Sequence, residues 1–258
     1  MRIKISFTTI KDNKIKLPLQ YNYILQGFIY TNFKNHFSHL LHDKGYKLDD
    51  NKRKFKLFTF SRINSNNSYK IGKNNNIKTI TFYDDVYFKI SSPIDELIQQ
   101  FCEKMASQDL FILGNKKFIN KLHVKEIAIE SPKEFTYEER INLLTPITVY
   151  STLMKADGSK KTYFYKPYEK EFEELIRNNI YKKYKAYYKK LPSENNFQLE
   201  YISRNPKDRI GIKYKNFYIE GWRGKYRINS SPELIKFAYD AGLGAKNSQG
   251  FGMFEVLK

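Results

Sequence analysis

Gly242-Leu243-Gly244-Ala245-Lys246-Asn247-Ser248-Gln249-Gly250-Phe251-Gly252 decides how the chain is read. Two Gly-apolar-Gly elements flank a polar spacer that carries one lysine. Residues 232–239 before it have helical spacing, and residues 251–257 after it read as a strand. The loop therefore ends a helix and leads into a strand, whereas a dinucleotide-binding fingerprint follows a strand and opens a helix. Glycines permit positive φ and close backbone approach, so successive N–H groups here can cradle a phosphate. Lys246 adds a point charge, and Asn247, Ser248 and Gln249 add hydrogen-bonding groups. The plainer alternative is that Gly242 caps its helix and the rest is surface loop.

Working outward, the second half reads as a strand at 145–154 and a helix from 168 to about 189. Strands follow at 197–201, 210–214 and 217–226, then the helix, loop and final strand already described. The first half has the same order: a strand at 2–9, a helical region at 20–44 ended by Gly45, and strands at 55–61 and 78–90. A helix from Pro93 to about Gln108 carries Asp95 and Glu96 in its first turn, where acidic groups suit the macrodipole. A strand at 117–131 closes the half. The strand–helix–strand–strand–helix–strand order, found twice, predicts an α+β chain of two tandem ferredoxin-like units, at 1–131 and 143–258. Each would be a four-stranded antiparallel sheet with two helices, joined by a linker near 131–143.

The 258 residues carry 46 Lys and Arg against 27 Asp and Glu, a formal net charge of +19. Divided after Glu130, the halves hold 22 basic against 12 acidic and 24 against 15, so the charge is not a tail on a neutral domain. This favours a polyanionic partner and salt-sensitive binding. Lysine outnumbers arginine, so an AT-rich coding bias is the bland alternative. No apolar run approaches the roughly 20 residues a membrane span needs. The first residues, Met1-Arg-Ile-Lys-Ile-Ser-Phe7, alternate like a strand without a signal-peptide core, so a cytoplasmic protein with no membrane partner is expected. The single cysteine, Cys102, excludes an internal disulfide.

The loop resembles the G-φ-G-x5-G-φ-G signature of the repeat-associated RNA-binding superfamily (RAMP), and specifically the CRISPR repeat-processing endoribonucleases, the Cas6 family. Every glycine of that pattern is matched. Pro18-Leu-Gln-Tyr-Asn-Tyr-Ile-Leu-Gln-Gly-Phe-Ile-Tyr30 looks like that family's first helix, and Lys56-Leu-Phe-Thr-Phe-Ser61 like its strand. The resemblance spans essentially the whole chain. It implies an endoribonuclease that cuts CRISPR precursor RNA within its repeats by 2′-OH attack, leaving a 2′,3′-cyclic phosphate and a 5′-hydroxyl. Repeat RNA, as precursor and as processed guide, is the implied partner. Homodimerisation and membership of an effector complex stay open.

Such cleavage needs a base at the 2′-OH, an acid at the leaving 5′-oxygen and a cation for the transition-state charge. Histidine, with an unperturbed pKa near 6.5, suits the first two roles. There are four: His36, His39, His42 and His123. The resemblance points to His42 as catalytic base or acid, with His39 as the alternative, since residues 46–54 shift the alignment by a turn. It matches Tyr30 to the residue that orients the 2′-OH or phosphate, or shares the proton transfer. Lys56 matches the cation. Tyr30 as a core residue and Lys56 as a solvated one are the plain alternatives, and His123, between Leu122 and Val124, is read as structural.

No metal or other cofactor is expected. Asp49–Asp50 and Asp84–Asp85 are adjacent pairs, and neighbours on a strand face opposite ways. His36, His39 and His42 lack a cysteine or carboxylate set to complete a zinc site. The predicted RNA-binding residues are Gly242, Gly244, Lys246, Asn247, Ser248, Gly250 and Gly252, with Arg223 and Arg227. Basic segments at Lys52-Arg53-Lys54, at 182–190 and around Arg204, Lys207 and Arg209 would extend the path. Tyr214, Tyr218 and Trp222 would stack bases if they face outward and pack in the core if not. The main alternative function is a non-cleaving RNA-binding subunit of a CRISPR effector complex. The histidine cluster argues against it, because a pure binder needs no base there.

Overall fold

Arg2–Thr9 alternates apolar and polar residues, so one face of the strand buries Ile3, Ile5 and Phe7. The computed structural model describes residues 1–9, 14–33, 46–47, 54–65, 69–74 and 76–257. Arg2–Thr9 lies antiparallel between Val86–Ser91 and Phe118–Ile129. Thr59–Phe60 extends this sheet beyond Val86–Ser91, and Phe111–Asn115 extends it beyond Phe118–Ile129. Helix α1 (Asn22–Thr31) buries Ile24, Leu25, Phe28 and Ile29, and helix α2 (Asp95–Ala106) buries Leu97, Ile98, Phe101 and Met105. These side chains join the sheet's inner face in one apolar cluster.

The second half is built the same way. Glu138–Leu143 lies between Lys225–Asn229 and Phe254–Val256, with Gln198–Tyr201 beyond Lys225–Asn229, all antiparallel. Helix α3 (Lys170–Tyr188) and helix α4 (Pro232–Ala241) supply the apolar stripes. Helix α4 starts cleanly: Ser231 Oγ accepts from Leu234 N–H and Pro232 fills the first turn. In both halves the sheet order, counted along the strand–helix–strand–strand–helix–strand path, is second, third, first, fourth. The whole is a mixed α+β fold with antiparallel sheets and four α-helices among the described residues. None of those helices is long and apolar enough to cross a membrane.

Several expected elements differ. Glu138–Leu143, read as linker, is a central strand: Ile141 and Leu143 are buried while Glu138 and Arg140 face solvent. The expected strand at 78–90 is two strands, Ile77–Phe82 and Val86–Ser91, the first paired instead with Tyr69–Asn74 and Ile15–Pro18. That at 217–226 is likewise two, Phe217–Trp222 in a hairpin with Arg209–Tyr214, and Lys225–Asn229 in the main sheet. That at 145–154 is extended strand only from Tyr150 to Met154, paired with Lys160–Phe164. Phe111–Asn115 was missed altogether. Helix α1 ends at Thr31 with Asn32 and Phe33 in a turn, and the rest of the expected helix, with His36, His39 and His42, lies outside the described residues.

The strand expected at 55–61 is broken. Leu57 has φ +51°, and regular pairing is confined to Lys54–Phe55 and Thr59–Phe60. Strict alternation would expose either Leu57 or Phe58; the left-handed residue lets both be buried. Phe58 then packs edge-on against Tyr30 and Phe33, and stacks on Phe60.

The halves are joined through the end of α4. Arg2 is 2% exposed, and its guanidinium donates to the carbonyls of Tyr239 and Phe254 while stacking on the Tyr239 ring. Ser91 Oγ donates to the Asp240 carbonyl at 3.0 Å. A cation beside the last carbonyls of a helix satisfies groups that have no intrahelical partner. Glu130 completes the set, 2.6 Å from Lys89 and accepting from Tyr239 Oη at 2.9 Å. Burial pushes its carboxyl up, but Lys89, Arg2 and Tyr239 together bring it below the ordinary value. A depressed carboxylate contributes stability that is present above its unfolded pKa and is lost as pH falls through the folded one. Glu130→Gln should therefore cost about 1–3 kcal/mol at pH 7. In urea titrations the difference from wild type should shrink towards pH 3, and a constant difference would refute this account.

Candidate active site

The glycine loop is held from beneath by one buried cation. Lys183 of α3 is 3% exposed, and its Nζ donates to the Gly242 and Gly244 carbonyls at 2.8 Å and to Asn247 Oδ1 at 2.7 Å. Asn247 then spans the loop, its amide donating to Leu243 O and Phe251 O at 2.9 and 3.0 Å. The glycines serve this packing. Gly252 has φ +75°, and a Cβ there would lie 1.9 Å from the Leu243 carbonyl oxygen. The amides of Gly242, Gly250 and Gly252, expected to face a phosphate, are committed inside the fold to Ala238, Asn247 and Pro146 carbonyls. What the loop presents outward is Lys246, Ser248 and Gln249, all partly exposed.

The first half meets the loop along α1. Asn22 Nδ2 donates to the Gln249 carbonyl at 3.0 Å, Gln26 donates to the Ser248 carbonyl, and Thr59 Oγ1 donates to the Phe251 carbonyl at 3.0 Å. Tyr214 Oη bonds the other end of the Gln26 amide. One turn along α1, Tyr30 lines the same cavity as Ser248. Burial pushes its phenol up to about 12, with the nearby Ser248 acting the other way. At neutral pH Tyr30 is therefore protonated, a hydrogen-bond donor rather than a base.

Lys56 follows the broken strand into the same place, with its Nζ 5.9 Å from the centre of the Tyr30 ring. Tyr30, Lys56, Ser248, Gln26 and Lys215 line a cavity of about 490 Å3. Lys56 and Ser248 also line an adjoining cavity of about 260 Å3 with Lys54, Tyr150 and Lys246. Lys246 Nζ sits 4.9 Å over the Tyr150 ring. Among the described residues, three non-glycine residues with positive φ border these two cavities: Leu57, Lys215 and Lys246. Strained backbone persists only where the surroundings impose it, and it concentrates at functional sites. The arrangement can present a phenol, a hydroxyl and several ammonium groups to one phosphodiester.

A family model described as CRISPR-associated protein Cas6, N-terminal, matches residues 16–128, and one described as CRISPR associated protein Cas6, C-terminal, matches residues 130–256. The chain is 31% identical over 253 residues to the CRISPR-associated endoribonuclease Cas6 1 of Methanocaldococcus jannaschii, covering 98% of this chain and 91% of that protein. The chain belongs to the Cas6 family. It is also 31% identical over 254 residues to the CRISPR-associated endoribonuclease Cas6 of Pyrococcus furiosus, covering 95% and 86% of the two chains. A solved structure from the characterization of a Cas6-related gene of Pyrococcus furiosus superposes with a TM-score of 0.81 at 27% identity, covering 100% of this chain and 98% of that one.

Seen as a Cas6 family site, the structure brings together Tyr30, Lys56, Gly244, Lys246, Asn247 and Ser248 of the predicted residues. His42 and His39 lie outside the described residues. Arg223 and Arg227 line neither cavity. Arg227 faces solvent on the second sheet between Glu138 at 3.5 Å and Glu200 at 3.3 Å. Arg223 is half-buried; burial, and then the like charge of Arg62, hold it below the usual guanidinium range. His123 is partly exposed on its strand, its Nδ1 against the Asp109 carbonyl. Tyr214 and Trp222 are core, while Tyr218 is exposed. Sequence reasoning missed Lys215, Tyr150 and Gln26, whose local patterns carry no chemical signal. It grouped Lys183 with a solvated or RNA-facing helix end, although its spacing from Phe172, Ile176 and Ile180 places it on the buried stripe.

Proposed function

We propose that this protein is an endoribonuclease that cuts CRISPR precursor RNA within its repeats by metal-independent transesterification. The observation that carries the reading is the meeting of Tyr30, Lys56 and Ser248 in one cavity at the junction of the two halves. The scissile phosphate would sit there, with Lys56 against the oxygens that gain charge and the Tyr30 and Ser248 hydroxyls donating to phosphate or ribose. His42, or alternatively His39, would take the 2′-OH proton or protonate the leaving 5′-oxygen. The new bond is from the 2′-oxygen to phosphorus, and the bond broken is from phosphorus to the 5′-oxygen. The products are a 2′,3′-cyclic phosphate and a 5′-hydroxyl. The sheet order repeated in both halves supports reading them as two ferredoxin-like units, a framework shared with RNA-recognition modules.

The test is cleavage of end-labelled repeat RNA in excess EDTA by wild type, His42→Ala and His39→Ala. One cut per repeat by wild type is expected, with one histidine variant that binds at wild-type affinity and does not cut. Tight binding by wild type without cleavage, in EDTA or with divalent metal, would make the protein a binding subunit.

A further inference from the structure

Gly27 stands in the middle of α1, where glycine is the least favourable residue after proline. Nothing among the described residues requires it. Its φ is not positive, it is exposed, and a Cβ built there meets nothing within 4 Å. It lies on the solvent stripe of α1 with Tyr23, Gln26, Tyr30 and Thr31, one turn before Tyr30.

Two cavities meet at this residue. On one flank is the cavity that holds Tyr30, Lys56 and Ser248. On the other is a cavity of about 850 Å3 between α1 and Phe111–Asn115, the outer strand of the first sheet. Tyr23, Gly27 and Thr31 line both. The second cavity differs in character. Its walls include Phe28, Leu110 and Ile112, with Leu110 37% and Ile112 60% exposed, and Lys104 stands at its margin. Tyr23 is fixed there by Asn115, whose Nδ2 donates to its hydroxyl at 2.7 Å. Apolar walls that share the cavity with Lys104, Asp109 and the amides of Asn32 and Gln108 suit a nucleobase, which has an apolar face and polar edges, better than a phosphate alone.

We propose that the substrate's single strand crosses α1 at Gly27, which is bare so that the sugar-phosphate backbone can pass, and that the next nucleobase lodges in the apolar cavity beyond. This rests on the nuclease reading, since it takes the Tyr30 cavity as the place of the scissile phosphate. The net charge of +19 favours a polyanionic strand, and the continuity of this cavity with the Tyr30 cavity makes the RNA substrate of the nuclease reading the occupant. Gly27 is then a specificity-determining position: it admits nucleotides adjoining the cut, and any side chain there closes the saddle.

The test uses Gly27→Gln and Gly27→Ala in the full chain. Both replace glycine by a better helix former, so melting temperatures should rise by about 2–4 °C. Gly27→Gln should bind full repeat RNA at least roughly tenfold more weakly than wild type, the loss of one stacked base. Against repeats shortened stepwise from the 5′ or the 3′ end, that difference should vanish in one series and persist in the other. Wild-type binding and cleavage by Gly27→Gln would overturn the inference while leaving the nuclease reading intact. An equal loss in both series would also overturn it, because the substitution would then be disturbing the Tyr30 cavity itself. Wild type that neither binds nor cuts repeat RNA would refute both.

Discussion

Lys183→Met should destabilise the protein by about 2–4 kcal/mol, read from the urea midpoint at unchanged slope. Two terms oppose each other. Removing the ammonium recovers the cost of keeping a charge at 3% exposure, several kcal/mol for an ion. It also abolishes three charge-assisted hydrogen bonds, to Gly242 O, Gly244 O and Asn247 Oδ1, worth about 1.5–3 kcal/mol each. The second term wins because the acceptors stay behind without their donor. Gly242 and Gly244 hold their carbonyls through fixed positive-φ backbone, and Asn247 is tied by its own amide to Leu243 and Phe251. Methionine fills the volume of the lysine stem, so a cavity contributes little. A loss under about 1 kcal/mol would mean that water replaces the ammonium and that the loop does not depend on it. RNA affinity should fall with stability, because Lys246 and Ser248 are positioned by the same loop.

Lys56→Ala should slow single-turnover cleavage of repeat RNA by about 10²–10³-fold while weakening binding by less than about tenfold. The asymmetry is the point of the experiment. One phosphate contact among many adds little to ground-state affinity for a chain of this charge. A cation placed where phosphorane charge develops acts mainly in the transition state. Lys56 stands beside Tyr30, whose phenol remains protonated to about pH 12, so the two groups offer a charge and a donor to the same oxygens. Tyr30→Phe should keep the fold, since the ring still packs on Phe33 and Phe58, and lose only the donor. If Lys56→Ala lowers rate and affinity in equal proportion, Lys56 only holds RNA and the catalytic cation lies elsewhere.

Much of this was legible before any coordinates. The repeated order of elements, the helix 232–241 with its Ser231 and Pro232 start, and the glycine spacing all come from rules acting within a few residues of one another. The family resemblance added Tyr30, Lys56 and the loop to one list. Errors fell where the local signal pointed the wrong way. Glu138-Glu-Arg-Ile-Asn-Leu143 reads as a charged connection, yet it is central because Lys225–Asn229 and Phe254–Val256 pair on either side of it. Which groups surround Arg227 was also hidden: Glu138 and Glu200 flank it from neighbouring strands that are distant in sequence.

What the sequence by itself determined is the alphabet of elements, the excess of positive charge that favours a polyanionic partner, and the spacing of the glycine loop, since periodicity, capping and backbone freedom are local properties. What only the tertiary structure decided is which groups share a space. Lys183 reaches the loop across about 60 residues, and Asn22 and Gln26 reach it across more than 200. Leu57 leaves the strand conformation so that two consecutive side chains can both enter the core. Close packing and the need to satisfy buried polar groups are conditions on the whole fold, so no window of sequence contains them.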